Sequence, residues 1–140
     1  MSSSNTQHIL SLLFSAGRAI RENAHKHGDL LTIVKLQTLR YVKEDSPLMK
    51  EVAHYLAITP PSATTLIDGL VATKMLQRHE DVSDRRRVRL RITKKGERFL
   101  EKGHREMARH TGTVVSKLNK QEQRHFIQIL EKIVSSYTIK

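Results

Sequence analysis

The sequence predicts a mainly α-helical chain carrying one two-stranded β-ribbon, and three observations lead there. Apolar residues recur every three to four positions over most of the 140 residues. The period drops to two only once, between Met75 and Ile92, where Val88-Arg89-Leu90-Arg91-Ile92 alternates apolar and basic side chains. Cationic charge is focused at the same place. Residues 74–105 hold 12 basic and 5 acidic groups, a net of +7 within a whole-chain excess of +11. With 38% hydrophobic and 28% charged residues, the composition is that of one folded domain.

The elements follow in order. Ser2-Ser3-Ser4-Asn5 reads as a polar leader. From Thr6, the residues Ile9, Leu12, Leu13, Ala16 and Ile20 form the stripe of a first helix, which Gly28-Asp29 ends. No Lys or Arg precedes its apolar run, and Arg18, Arg21 and Glu22 continue its phase, so it reads as a mature amphipathic helix rather than a signal peptide. A second helix is expected from Thr32, as N-cap, through Leu36, Leu39 and Val42. Asp45-Ser46-Pro47 ends it and opens the next, with Pro47 in a first turn.

Two short helices come next. Met49–Leu56 buries Val52, Ala53 and Leu56, and Ala57-Ile58-Thr59 is a turn. Thr59 is an N-cap, and Pro60-Pro61 fill the first two helical positions, whose amides would have no intrahelical partner. Ala63, Leu66, Ile67 and Leu70 form the buried side. Strands are expected at Met75–Glu80 and Val88–Ile92, joined by a polar tip, Asp81–Arg87. A ribbon of two strands needs helices to lean on. Thr93 caps a long helix to about Leu118, with Phe99, Met107, Val114 and Val115 apolar. Asn119-Lys120-Gln121-Glu122 is a capping box for a last helix carrying Phe126, Ile127, Ile129, Leu130, Ile133, Val134 and Tyr137.

The Lys50–Leu70 segment has helix-turn-helix spacing: Ala53 is small where the helices cross, and Val52, Leu56, Ile58, Ala63 and Leu66 lock them together. Ala57 stands where such turns usually hold glycine. A helix-turn-helix followed by a ribbon is a winged helix, and the ribbon's tip is its wing. Arg85, Arg86 and Arg87 at the tip repel one another unless an anion neutralises them, and arginine suits phosphate and a narrow minor groove. Arg89 and Arg91 read as a solvated strand face. On the second short helix the exposed candidates for base contact are Pro61, Ser62, Thr64, Thr65 and Asp68; double-stranded DNA is the expected partner.

Other chemistry finds little support. There is no cysteine, which removes disulfides, thiolate zinc and thiol redox sensing. Eight histidines show no paired-ligand spacing and no H-E-x-x-H, so no metal or other cofactor is expected. No Gly-rich phosphate loop or nucleophile elbow is present, so the chain is not expected to be an enzyme. No run reaches the roughly 18 apolar residues of a membrane span, and a cytoplasmic protein without a membrane partner is expected.

Asp84-Arg85-Arg86-Arg87-Val88-Arg89-Leu90-Arg91-Ile92-Thr93-Lys94-Lys95-Gly96 resembles the wing signature of the MarR family of transcriptional regulators. Leu70–Arg78 is similar to that family's link from recognition helix to wing, with Lys74 where a glycine is usual. The resemblance covers nearly the whole chain. It implies a mainly α winged helix-turn-helix with a two-stranded β-wing, flanked by N- and C-terminal dimerisation helices. Residues 1–140 would be a single domain, with a DNA-binding lobe at 32–96 and a dimerisation lobe from 1–31 and 97–140. It further implies that Asp84 orients a wing arginine. A homodimer would bind a pseudo-palindromic operator, most often as a repressor released by a small ligand. A small aromatic or apolar anion is the expected effector, near the hinges at Gly28–Leu31 and Thr93–Gly96, with Arg18, Arg21, His25 or Lys35 at the mouth. Independently of the resemblance, the last helix is apolar on more than one stripe, more than a terminal surface helix needs. The competing readings are an architectural DNA-binding protein with little sequence preference, a protein- or RNA-docking winged helix, and a metal-sensing regulator.

Overall fold

A computed structural model describes residues 3–27 and 30–138, so the Gly28-Asp29 break lies outside the described residues. The order is α1 (Ser3–His27), α2 (Leu30–Asp45), α3 (Met49–Leu56), α4 (Pro60–Ala72), β1 (Leu76–Glu80), β2 (Val88–Ile92), α5 (Lys94–Val115) and α6 (Lys120–Thr138). This is the expected mainly helical chain with one antiparallel ribbon, in register from Leu76 opposite Ile92 to Glu80 opposite Val88. The chain divides inside α5, between Leu100 and Glu101, into two compact units.

In the first unit the core lies where α2, α3, α4 and the ribbon meet. Leu39, Val52, Ile67, Leu70, Leu76 and Leu90 are each 1% exposed or less. These are the inward residues of the three-to-four and two-residue patterns, and their burial holds the ribbon against the helices. Thr38 is also fully buried, its hydroxyl satisfied by the Val34 carbonyl at 2.7 Å. Tyr41 stacks on Tyr55 with ring centroids 3.9 Å apart, joining α2 to α3. Burial, followed by the nearby Glu51 and Asp45 carboxylates, raises the Tyr41 hydroxyl above its ordinary pKa.

Helix ends account for most departures from expectation. Thr32 does not cap α2, which begins two residues earlier at Leu30. Pro47 is not in a first helical turn: Leu48 is the extended N-cap of α3, at φ −67° and ψ 149°. The cause is tertiary. Leu48 bridges Arg89 as a stub of third strand, and the Leu90 amide donates to the Pro47 carbonyl at 2.9 Å. α1 reaches back to Ser3, taking in part of the polar leader.

α2, α3 and α4 all stop on a non-glycine residue in the left-handed region: Ser46 (φ 43°), Ala57 (φ 53°) and Lys74 (φ 63°). After α4 the Lys74 amide donates to the Val71 carbonyl at 2.9 Å and the Met75 amide to the Leu70 carbonyl at 2.8 Å. After α3 the same pair of bonds runs from Ala57 to His54 and from Ile58 to Ala53, at 3.2 and 3.0 Å. Both are the two-bond helix stop that favours glycine at its first residue outside the helix. Because Met75 belongs to that stop, β1 begins one residue later than expected.

Thr93 caps α5 by accepting from the Gly96 amide at 3.0 Å. Gly96 is needed there, since an added Cβ would lie 2.3 Å from the Met75 carbonyl oxygen. In the second unit, α5 ends at Val115, three residues short of expectation, and its last turn tightens through Lys117 and Leu118. Asn119 and Glu122 form the reciprocal capping box of α6 at 2.8 and 2.9 Å, and the Gln123 side-chain amide donates to the Val115 and Leu118 carbonyls. No residue of α6 is buried: Phe126, Ile129, Ile133 and Tyr137 are all exposed. The α1 stripe of Ile9, Leu12, Leu13 and Ile20 is likewise exposed. None of the described helices is long and apolar enough to cross a membrane.

Candidate nucleic-acid interface

The site is built on α4 and the loop between β1 and β2. Thr59 opens α4 as its sequence promises, accepting from the Ser62 amide at 3.3 Å with Pro60 and Pro61 at the first two helical positions. Burying Ala63, Leu66, Ile67 and Leu70 turns Pro61, Ser62, Thr64, Thr65 and Asp68 outward, and all five are exposed. The threonine hydroxyls donate back along the helix, Thr64 to the Pro60 carbonyl at 3.0 Å and Thr65 to the Pro61 carbonyl at 3.1 Å. The Thr59 hydroxyl donates to the Ser62 oxygen at 2.8 Å. Asp68 is ion-paired with Arg78 of β1, which ties the helix to the ribbon.

At the wing, Asp84 organises the arginines. Its carboxylate accepts from the Arg86 amide at 3.0 Å and from the Arg86 guanidinium at 3.2 and 3.3 Å; Arg87 lies 3.7 Å away. The Arg86 hydrogen bonds, with Arg87 and Lys50 nearby, hold the Asp84 carboxyl below the usual carboxylate range. Arg86 nonetheless projects into solvent, its side chain 91% exposed. Arg85 and Arg87 are exposed as well. The tip thus presents three guanidinium groups on a backbone turn closed by the Arg87 amide on the Asp84 carbonyl at 3.0 Å.

Arg89 departs from the expected solvated face. Its guanidinium is 3.3 Å from the buried Asp81 carboxylate and also donates to the Ser46 carbonyl at the end of α2. Burial acts to raise the Asp81 carboxyl, but hydrogen bonds from Ser83 and Arg89 outweigh it and leave the group below its ordinary value. Arg89 is therefore an internal tie between wing base and helix turn, whereas Arg91 is exposed as expected. Sequence reading also missed Arg78 and Lys50. A one-dimensional pattern carries no signal for either, since only the tertiary fold pairs Arg78 with Asp68 and brings the Lys50 charge near Asp84.

Solved structures share this fold. A protein described as a MarR family protein from Bacillus stearothermophilus superposes with a TM-score of 0.84 over 99% of both chains, at 20% identity. The fold is that of the MarR proteins. Streptococcus pneumoniae FabT, solved in complex with DNA, shares this MarR fold with a TM-score of 0.70 over 98% of each chain, at 18% identity. In sequence, the chain is 28% identical over 133 residues to the uncharacterized HTH-type transcriptional regulator YhbI of Bacillus subtilis strain 168, covering 90% of this chain and 84% of that protein. No family model matches the chain. The two-stranded wing and the helix-turn-helix of the MarR fold are thus both present, with Ala57 and Lys74 as its unusual helix stops.

Proposed function

We propose that the chain is a sequence-specific DNA-binding transcriptional regulator, a binding protein rather than an enzyme. It acts in the cytoplasm as a homodimer on a pseudo-palindromic operator. The observation that carries this reading is the pairing, in one compact unit, of an exposed α4 face with a wing tip of three adjacent exposed arginines. In this reading Arg85, Arg86 and Arg87 meet phosphates or the minor groove and supply affinity, Asp84 steadies Arg86, and Pro61, Ser62, Thr64 and Thr65 face base edges in the major groove. The fold it shares with a protein solved on DNA, and its likeness to an HTH-type regulator, support the assignment.

Residues 32–96 serve as the DNA-binding lobe, and 1–31 with 97–140 as the dimerisation lobe. The exposed apolar rows of α1 and of α6 support that role, since each leaves isoleucine, leucine or phenylalanine in water that a second copy would cover. Light scattering should give about twice the 16.1 kDa chain mass; a monomer at micromolar concentration would remove the dimer.

The regulator is a repressor released by a small aromatic or apolar anion. Leu10, Phe14, Arg18 and Arg21 lie together on the exposed side of α1, an apolar pair beside a cationic pair of the kind such an anion needs. Release requires the effector to bind the free and DNA-bound forms with different affinity. Among the described residues no three His, Asp or Glu are grouped to hold a metal ion.

The test is a salt titration of binding to a selected duplex and to random duplexes. Arg86→Ala should weaken both alike and flatten the salt slope by about one unit per lost phosphate contact. Equal affinity of the wild type for both duplexes would make the protein architectural, and salt-independent binding would remove the DNA reading.

A further inference from the structure

We infer that Thr64 and Thr65 read A·T base pairs, an inference that rests on the DNA-binding reading above. α4 contains no Arg, Lys, Asn or Gln, so the bidentate contacts that single out guanine or adenine are not available to it. Each threonine hydroxyl spends its proton on a proline carbonyl of its own helix, at 3.0 Å from Thr64 and 3.1 Å from Thr65. What each oxygen still offers outward is a lone pair, and beside it stands a methyl group.

An acceptor needs a donor. In the major groove the only base donors are the N6 amine of adenine and the N4 amine of cytosine. Each donor has an acceptor beside it on the partner base, thymine O4 or guanine O6, and the two pairs are separated by what lies beyond that acceptor. In an A·T pair it is the thymine C5 methyl, an apolar partner for the threonine methyl. In a C·G pair it is guanine N7, and no methyl is present. The pair that suits both halves of the side chain is A·T. A free carboxylate would shift this preference, because Asp or Glu accepts well from cytosine N4. The one carboxylate on α4, Asp68, is held by Arg78.

The experiment is selection from a randomised duplex library with the full chain, followed by base-analogue scanning of the selected half-site. Purine in place of adenine removes the N6 amine, and uracil in place of thymine removes the methyl. Wild type should lose about tenfold affinity for purine at the read positions and about threefold for uracil. Thr64→Val and Thr65→Val keep a methyl but remove the hydroxyl, and each should abolish the purine penalty at one position while retaining the uracil penalty. Circular dichroism checks that these variants fold. A defined consensus whose analogue penalties are the same in wild type and both valine variants overturns this inference alone. A wild type that selects no consensus overturns the sequence-specific reading as well.

Discussion

Replacing Ala57 and Lys74 by glycine should stabilise the protein. Both residues hold left-handed backbone, at φ 53° and 63°, in the helix stops that close α3 and α4. A Cβ in that region costs about 1–2 kcal/mol, while glycine loosens the unfolded chain by about 0.4–1 kcal/mol. Neither side chain is buried, so no packing is lost on truncation. The balance is a gain of about 0.5–1 kcal/mol per site, and the sites belong to different turns, so the double variant should gain about the sum. For a chain of 140 residues, about 1 kcal/mol corresponds to roughly 3–5 °C in Tm. Urea unfolding at fixed protein concentration should show a higher midpoint with unchanged slope. Ala57→Val, which places a branched side chain at the same φ, should move the midpoint the other way. A lower midpoint for both glycine variants would refute the reasoning.

Three further outcomes are expected. Gly96→Ala sets a Cβ 2.3 Å from the Met75 carbonyl oxygen, so calorimetry should find it destabilised by about 1–3 kcal/mol or more; an unchanged Tm would mean the α5 start moves freely. Arg89→Met strands the buried Asp81 carboxylate and should lower stability, and adding Asp81→Asn should recover part of the loss; additive losses would show that the two do not interact. Asp81 and Asp84 both titrate lower when folded than as free carboxylates, so their contribution is complete above the unfolded value of about 4 and fades as pH falls through the folded values. Unfolding midpoints should therefore drop more steeply below about pH 4 in wild type than in a variant with both replaced by Asn, and parallel profiles would contradict the assignment.

What could be read from the sequence depended on how far apart the partners lie. The Asn119–Glu122 box, the Thr59 cap and the buried side of α4 are set within one or two turns, so spacing alone places them. The outward set on α4 follows from that buried side. Even the threonine back-bonds to the proline carbonyls obey a local i−4 rule, set within one turn of α4. Arg89 was misread because its alternation with Val88 and Leu90 looks like any exposed strand position, while one of its partners, the Ser46 carbonyl, lies 43 residues away in sequence. The same long-range contact set, through Leu48, keeps Pro47 out of α3. Lys74 and Ala57 show the converse: the chain departs from glycine, yet the surrounding bonds still impose the backbone that glycine prefers.

The Leu48 stub has a consequence for how copies of this chain meet. A bare ribbon offers two open edges on which strands of other molecules can add. Here the outer edge of β2 is engaged by Leu48 and Pro47, leaving less of it for an incoming strand. The outer edge of β1 is five residues long and carries Arg78, His79 and Glu80, charged or bulky polar groups that discourage templated growth. Runaway β-assembly is thereby blunted at the most cationic part of the molecule.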